Sequence, residues 1–395
     1  MNILLATDVI HAGGAETFVL RLAQALQQKG HKVFLYVLYK NKIDQRLIAA
    51  IAPDVQVIPA RLRLTRFLQL IDSLFRKSNI DVSMVEYFQV HDLKKVLKKN
   101  KIEIIHSHLF TTDIIAVSAG ADKIPVISTM HGDYSLLWEK LHKSQGIRIL
   151  NYKAKMLAVL NKLKKVVCIS EQQLKFFRQF SDQLSTSLQV KIYNGYAVSP
   201  VQKNITRKDL NISENSFVFG MVARGIPEKG WEPAIRAFIS LNCSNAYFLL
   251  IGDSPYVQEL KKQYENFPAI KFIGYSKNPI EYIRLFDAGI FASTYLAESL
   301  PTVIMEYLAC NLPVISSDIA ECSAMLTTEN GSAGLIVPVH DNILKEVELC
   351  LAMKSMIEDQ VLYNGLKAEA AVAFKKFEMD NCTNKYIELY TQVHG

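Results

Sequence analysis

Glu298 and Glu306 stand with seven residues between them and Pro301 inside the interval, in the stretch FDAGIFASTYLAESLPTVIMEYLACNLPVISSDIAE that runs from Phe286 to Glu321. The apolar run Gly289–Ala292 reads as a strand, the polar residues after it as a turn, Pro301–Ala309 as a helix and Pro313–Ser317 as a second strand. Proline fits a first helical turn, where its missing N–H is no loss. A strand, a turn and a helix start leave free backbone N–H groups and partial positive charge facing one point, which suits a phosphate. Carboxylates on both flanks suit a ligand with a phosphate in the middle and hydroxyls at either end. A nucleotide sugar has that form, with ribose on one side and hexose on the other. Solvated charges at a helix end would give the same pattern.

A second set of candidates is cationic. Arg224 and Lys229 bracket the turn ARGIPEKG, which follows the apolar run Phe217–Val222. Fixed cations beside a Gly- and Pro-containing turn at a strand end suit a phosphate or diphosphate, although surface charges would look alike. Gly252-Asp253 ends the strand Tyr247–Ile251, and Gly274-Tyr275 ends the strand Ile270–Phe272. Near the N-terminus, Gly13-Gly14-Ala15-Glu16 lies between the strand Asn2–Thr7 and a helix from Ala15 to Gln28. The two glycines let backbone approach a ligand at a helix start, but the pair alone is a weak signal. His106 and His108 close the strand Ile102–Ser107, and His131 follows the strand Val126–Thr129. In open α/β sheets functional groups gather at the carboxyl ends of strands. Any one histidine is still more often structural, and no metal-ligand spacing joins these three.

These residues need a scaffold of alternating strands and helices. The first helix carries Phe18, Leu22, Ala25 and Leu26 at helical spacing, and Val33–Leu38 follows as the second strand. That βαβ unit predicts a parallel sheet. A second series of the same rhythm starts at Phe217. The polar, aperiodic stretch Ser199–Ser216 reads as the linker between two domains. Helices are expected at Asp92–Lys99, Glu171–Phe180, Trp231–Leu241, Ile343–Met353, Ser355–Phe374 and Asn381–Val393. At 395 residues, two domains can each bury a core.

Composition narrows the class. Half the residues are apolar and 21% are charged, as in a soluble globular protein. No apolar run approaches the ~18 residues of a membrane span. The start MNILLATDVIHAGG has no basic segment ahead of its apolar residues, so it reads as a strand and not as a signal peptide. Six scattered cysteines, mostly in apolar contexts, point to buried thiols in a reducing, cytoplasmic setting. The charge is lopsided: residues 1–200 hold 28 Lys+Arg against 15 Asp+Glu, while the remainder holds 17 against 23. Basic residues cluster over Arg61–Lys77, Lys94–Lys101 and Lys140–Lys165. Such a face suits an anionic membrane surface, a phosphorylated lipid or nucleic acid, or is a solvated helix face. The basic stretches lack the aromatic interleaving that base stacking needs, which argues against nucleic acid.

Gly13-Gly14-Ala15-Glu16, Asn194-Gly195, Arg224 to Lys229, Gly252-Asp253 and Glu298 to Glu306 occur together in one order and spacing. In this the chain resembles the retaining glycosyltransferases of family 4, over nearly its whole length. The stretch from Glu298 to Glu321 is similar to that of bacterial enzymes building capsule, exopolysaccharide or lipopolysaccharide. The resemblance implies the GT-B fold, an α/β architecture of two Rossmann-like domains facing across a cleft. Residues 1–198, joined by a C-terminal helix at 378–395, would bind the acceptor, and residues 199–377 the nucleotide-sugar donor.

The resemblance also implies roles. Arg224 and Lys229 would grip the donor diphosphate, Glu298 would contact hydroxyls of the donor sugar, and Glu306 would hold the ribose. Backbone at Ser299, Leu300, Pro301 and Thr302 would meet sugar and phosphates, with Gly252 also on the donor side and Tyr275 meeting the base through its main chain. Gly13 and Gly14 would approach the diphosphate, and His131 would lie near the transferred sugar. Glu16, His106 and His108 would fall on the acceptor side. Ala223 and Ser299 stand where many members have glycine. The expected reaction is transfer from a UDP- or GDP-linked sugar to a glycan or polyprenyl-diphosphate-linked acceptor, with no cofactor and no metal, at the inner face of the cell membrane. A nucleotide-sugar 2-epimerase of similar fold and a basic nucleic-acid-binding protein are the competing expectations.

Overall fold

The computed structural model describes all residues except 12, 63–64, 79, 81, 133–153, 180–181, 186–187, 199–200 and 297. The chain divides into two compact units, Met1–Gly195 with Met379–Gly395, and Tyr196–Glu378.

The first unit is built on a seven-stranded parallel sheet in the order β3-β2-β1-β4-β5-β6-β7. Its strands are β1 (Asn2–Thr7), β2 (Lys32–Val37), β3 (Gln56–Pro59), β4 (Ile104–His108), β5 (Val126–Met130), β6 (Lys165–Cys168) and β7 (Gln189–Lys191). β1 is central because Ile3, Leu4, Leu5 and Ala6 are apolar on both faces and all buried; a strand covered on both sides cannot alternate with polar residues. It pairs in register with β2 at Ile3↔Val33 and with β4 at Ile3↔Ile104. The helices are α1 (Gly14–Gln28), α2 (Gln45–Ile51), α3 (Thr65–Lys77), α4 (Met84–Lys99), α5 (Phe110–Gly120), α6 (154–160) and α7 (Glu171–Arg178).

The second unit has a six-stranded parallel sheet in the order β10-β9-β8-β11-β12-β13. These are β8 (Phe217–Val222), β9 (Ala246–Ile251), β10 (Ile270–Gly274), β11 (Ala288–Phe291), β12 (Val314–Ser317) and β13 (Gly334–Val337), followed by a two-stranded antiparallel ribbon of β14 (Val339–His340) and β15 (Ile343–Leu344). Its helices are α8 (Trp231–Ser240), α9 (Pro255–Gln263), α10 (Ile280–Ile283), α11 (Thr302–Ala309), α12 (Cys322–Leu326), α13 (Glu346–Glu358) and α14 (Gln360–Phe374). A last helix, α15 (Met379–His394), belongs to the first unit, where Cys382, Tyr386, Leu389 and Tyr390 share a core with Phe18 and Leu22 of α1.

Several segments differ from the sequence reading for local reasons. Residues 201–216 are not a loose linker: the Arg207 guanidinium donates to the carbonyls of Leu285, Glu214 and Ser216 and pairs with Asp287 at 2.8 Å, which pins this segment onto the second unit. α4 begins eight residues before Asp92, because Ser83 caps it and the buried Asp72 carboxylate accepts from Ser83 Oγ and the Met84 amide. Ile343 and Leu344 pair as β15 with β14, so the following helix starts only at Glu346. Most of Lys140–Lys165 lies outside the described residues.

Candidate active site

In the second sheet the strand order reverses between β8 and β11, and such switch points open a crevice at the strands' carboxyl ends. Arg224 and Lys229 leave β8 there, and Glu298 leaves β11. The turn after β8 is fixed at three points. Trp231 Nε1 donates to the Arg224 carbonyl at 2.9 Å. A Cβ on Gly225 would lie 2.4 Å from Ser254 Oγ. Gly230 has φ +75° and passes so close to β11 that a Cβ would sit 2.0 Å from the Ala292 carbonyl oxygen, a combination that only glycine tolerates. Between them, Pro227–Lys229 forms one 3₁₀ turn.

That turn presents its Glu228 carbonyl to the loop after β11. The Thr294 amide donates to it at 2.8 Å and Ser293 Oγ at 3.3 Å, while Ser317 Oγ of β12 holds the Ser293 carbonyl at 2.6 Å. Lys229 and Glu298 are thereby brought into a direct ion pair, with side chains 10% and 14% exposed. Both cations stand against the Tyr295 ring, with Lys229 Nζ 5.1 Å and the Arg224 guanidinium carbon 5.5 Å from its centroid. Burial, and next the Arg224 charge, pull the Lys229 ammonium down to about 8, against Cys322 and Glu228. Direct pairing with Glu298 opposes that fall, so Lys229 is a cation at neutral pH. The arrangement is a preassembled, largely dehydrated positive site with one carboxylate that an incoming anion would compete with.

α11 completes this corner. Tyr307 on it accepts from the Val222 amide at 2.9 Å and donates to the Ile290 carbonyl at 3.3 Å, which ties the helix to the ends of β8 and β11. Pro301 is the N-cap, with φ −64° and ψ 110°, and the helix has no side-chain cap. In its first turn the Ile304 amide reaches back to the Pro301 carbonyl at 3.2 Å, while the earlier N–H groups have no acceptor within the helix. Ser299 and Pro301 are buried, and Leu300 and Thr302 are half-buried. Glu306 lies in the second turn, half-buried; burial raises the neighbouring Tyr307 and Cys310, and the Glu306 charge adds a smaller push in the same direction. Gly252 joins two strand ends, its amide donating to the Gly274 carbonyl at 2.9 Å, and a Cβ there would strike the Ala223 oxygen at 2.2 Å. Tyr275, next to it, is 72% exposed.

In the first unit the strand order reverses between β1 and β4. Gly13 caps α1 with extended backbone, and Gly14 is exposed in the first turn. The Glu16 carboxylate folds back toward Gly13, where a Cβ would meet it at 2.3 Å, and lies 3.6 Å from His11 Nε2. Glu16 is buried there, over the helix start.

His106 and His108 are fully buried, which corrects the expectation that they face an acceptor. His106 is held between Tyr390 of α15, at 2.6 Å from Nδ1, and Thr129 of β5, at 2.7 Å from Nε2; Thr129 in turn meets Tyr386 at 2.9 Å. It is a core histidine that fastens α15 to the sheet. His108 Nδ1 lies 2.9 Å from His131 Nε2, so one ring donates to the other. His131 keeps partial exposure. Burial pulls His131 and His106 down to about 3 and His108 well below the usual range, so all three rings are neutral. Gln173 steadies the His131 backbone by donating to the Met130 and Gly132 carbonyls at 3.3 and 3.1 Å.

The sequence reading missed several of these parts. Tyr295 stands at the cation pair, and an aromatic residue in the loop just before Glu298 was its available signal. Asp113, in α5, accepts from Ser107 Oγ at 2.5 Å and is pushed up to about 7 by burial; Asp8, after β1, is pushed up to about 6, chiefly by burial. Among the described residues no group of three or more His, Cys, Asp or Glu side chains could hold a metal ion, and no helix is long and apolar enough to cross a membrane.

Two parallel-sheet α/β units, the second with charged groups at its switch point, define the class of GT-B proteins. The structure matches that of the Anabaena protein HepE in complex with UDP, with a TM-score of 0.75 at 18% identity over 99% of this chain and 100% of that one. Residues 12–196 match the family described as Glycosyltransferase Family 4, and residues 202–368 match Glycosyl transferases group 1. The chain belongs to the family 4-type GT-B glycosyltransferases. Its relatives include the Escherichia coli UDP-Gal:alpha-D-GlcNAc-diphosphoundecaprenol alpha-1,3-galactosyltransferase, 25% identical over 63% of this chain and 66% of that protein. Another is the Campylobacter jejuni GalNAc-alpha-(1->4)-GalNAc-alpha-(1->3)-diNAcBac-PP-undecaprenol alpha-1,4-N-acetyl-D-galactosaminyltransferase, 24% identical over 100% of this chain and 99% of that protein. The chain thus spans about two thirds of the first relative's length and nearly all of the second's.

Proposed function

We propose that this protein moves a sugar from a UDP- or GDP-linked donor to a polyprenyl-diphosphate-linked or glycan acceptor, with retention of anomeric configuration, in the assembly of a surface polysaccharide. The observation that carries the reading is the Lys229–Glu298 pair with Arg224 at the same Tyr295 ring, at the switch point of the second sheet. The names of the relatives support a lipid-linked diphosphate acceptor, and the UDP bound to HepE supports a uridine donor.

The donor diphosphate takes Glu298's place on Lys229 and draws in Arg224. The freed Glu298 carboxylate turns to hydroxyls of the donor sugar. Backbone N–H groups from Ser299 to Thr302 receive phosphate and sugar oxygens, Glu306 takes the ribose, and Gly252 and the Tyr275 main chain flank the base. On the first unit, Gly13 and Gly14 leave the start of α1 open to an anionic group, and neutral His131 can offer a hydrogen bond to a sugar hydroxyl. The bond from anomeric carbon to diphosphate oxygen loosens first. Negative charge grows on that oxygen, and each well-placed donor stabilises it by about 3 kcal/mol. The acceptor hydroxyl then bonds to the anomeric carbon on the face the diphosphate leaves, and its proton passes to the departing phosphate. Arg224 and Lys229 supply the positive charge, so the reaction proceeds without added divalent metal. The basic first unit holds the enzyme at the anionic inner face of the cell membrane.

Titration calorimetry with UDP, GDP and their sugars, with and without a chelator, tests the donor site. Saturable binding of one nucleotide class, lost in Lys229→Ala and kept in chelator, is expected. Binding that needs metal, or turnover of Lys229→Ala within about threefold of the parent, overturns these roles.

A further inference from the structure

We propose that His108 is a positioning residue that fixes the proton of His131: it donates from Nδ1 to His131 Nε2, and so makes the other edge of the His131 ring a hydrogen-bond donor. The tautomer follows from the first unit alone; its use on a sugar hydroxyl rests on the function proposed above.

Residues along a strand alternate between the two faces of its sheet, so His106 and His108 of β4 share a face and Ser107 takes the other. The two rings lie 4.2 Å apart, yet their partners give them different work. His106 has both ring nitrogens engaged in the core, by Tyr390 and Thr129. His108 has only Nδ1 engaged, by His131 Nε2 at 2.9 Å. Burial keeps His108 and His131 neutral, so each ring carries one N–H and one bare nitrogen. The bond between them uses one N–H and one lone pair. The remaining N–H and lone pair fall on His108 Nε2 and His131 Nδ1, and neither atom has a hydrogen-bond partner among the described residues.

Two arrangements satisfy this geometry. If His131 donates, the spare N–H sits on His108, a residue with 0% exposure. If His108 donates, the spare N–H sits on His131, which stands just after β5 and keeps partial exposure. An orphaned buried N–H is rarer than an under-satisfied buried acceptor. The second arrangement leaves only a lone pair in the core and puts the N–H on the ring that a ligand can reach. The bond made by one ring nitrogen sets which nitrogen carries the proton.

The ring is also held in place. Phe18 of α1 packs 5.5 Å from His131 and 6.3 Å from His108. Gln173 donates to the carbonyls on either side of His131. A ring bonded, packed and tethered in this way presents one fixed edge. That edge calls for an acceptor, such as a hydroxyl or phosphate oxygen, and it cannot take a proton.

The test is long-range nitrogen–proton NMR correlation on the full chain with isotope-labelled histidine, without ligand at neutral pH, which reads the protonated nitrogen of each ring. His108 and His131 are each expected to carry the proton on Nδ1 and to be bare at Nε2. His108→Asn sets an amide N–H where Nδ1–H stood, and by the same preference should keep the His131 proton on Nδ1. His108→Phe removes the donor, and the His131 proton should spread onto Nε2. Transfer kinetics read the consequence. His108→Phe should lower kcat/KM about tenfold and His108→Asn should stay within about threefold of the parent. In a His131→Ala background, His108→Phe should cost less than about twofold. A His131 proton on Nε2 in the parent, or one that stays wholly on Nδ1 in His108→Phe, would overturn the proposal. So would an equal cost of His108→Phe with and without the His131 ring. If the phenylalanine variant does not fold, the spectra of the parent and of His108→Asn decide. His131 found on Nδ1 in a protein that transfers no sugar would count against the function proposed above and not against the tautomer; His131 found on Nε2 with nucleotide binding intact would do the reverse.

Discussion

Replacing Lys229 by methionine should cost more stability than replacing Glu298 by glutamine, and the double variant should recover part of the loss. The side chains are 10% and 14% exposed. Removing one partner of a buried pair leaves an uncompensated charge, at about 3–5 kcal/mol. Some solvent reaches this pair and Arg224 stands at the same Tyr295 ring, so the low end, about 3 kcal/mol, applies to Lys229→Met. Glu298→Gln is milder, because a lysine already drawn down to about 8 can shed its proton near neutral pH for only about 1–2 kcal/mol. With both charges gone, neither penalty remains, so the coupling should approach the sum of the two single losses, about 4–5 kcal/mol. The assay is a double-mutant cycle by urea unfolding without ligand. Two units need not unfold together, so a local probe is required. The chain has two tryptophans, Trp138 and Trp231, and Trp231 is fully buried in the second unit. In a Trp138→Phe background, fluorescence follows that unit alone. Single effects that add within about 0.5 kcal/mol would refute the claim that these groups neutralise one another.

Three further outcomes follow from the geometry. Gly230→Ala should destabilise the second unit by at least 2 kcal/mol on the order of a strained left-handed residue plus a backbone clash, and nucleotide affinity should fall with it, as read by calorimetry. Asp113 is raised from its ordinary 3.8 to about 7, so the folded state binds its proton more tightly than the unfolded chain. The stability this gives is complete below pH 3.8 and is lost as pH rises through 7, on the order of 4 kcal/mol; Asp113→Asn should flatten that slope in unfolding measurements across pH 4–8. Lys229 must carry its proton to hold a diphosphate, so UDP affinity should fall as pH rises past about 8, by up to tenfold per pH unit, and a Lys229→Met variant should show no such fall in calorimetry.

The elements that the sequence revealed best are those whose pattern is set by burial alone. β1 and β8 fall on the residues read as strands, because each is a short apolar run between polar turns. Elements set by distant partners were harder to see. The true start of α4 depends on Asp72, eleven residues before its Ser83 cap, and α5 begins after Leu109 at φ +79°, a backbone state that no propensity announces. Among site residues, Arg224, Lys229 and Glu298 were legible from charge beside turn chemistry at strand ends. Their assembly around Tyr295 was not, since it requires knowing that β8 and β11 are neighbours. His106 looked like the other two histidines in sequence; only the partner hydroxyl of Tyr390, 284 residues away, marks it as a core residue.

The most direct measurement supplies a radiolabelled UDP- or GDP-linked sugar together with a polyprenyl-diphosphate-linked acceptor, and follows both free nucleoside diphosphate and labelled lipid. Transfer predicts one nucleoside diphosphate released per sugar gained by the lipid, in chelator, with the product's anomeric configuration by NMR matching that of the donor and with Lys229→Ala inactive. Sugar isomerised or released to water with the acceptor untouched, or an inverted linkage, would contradict it.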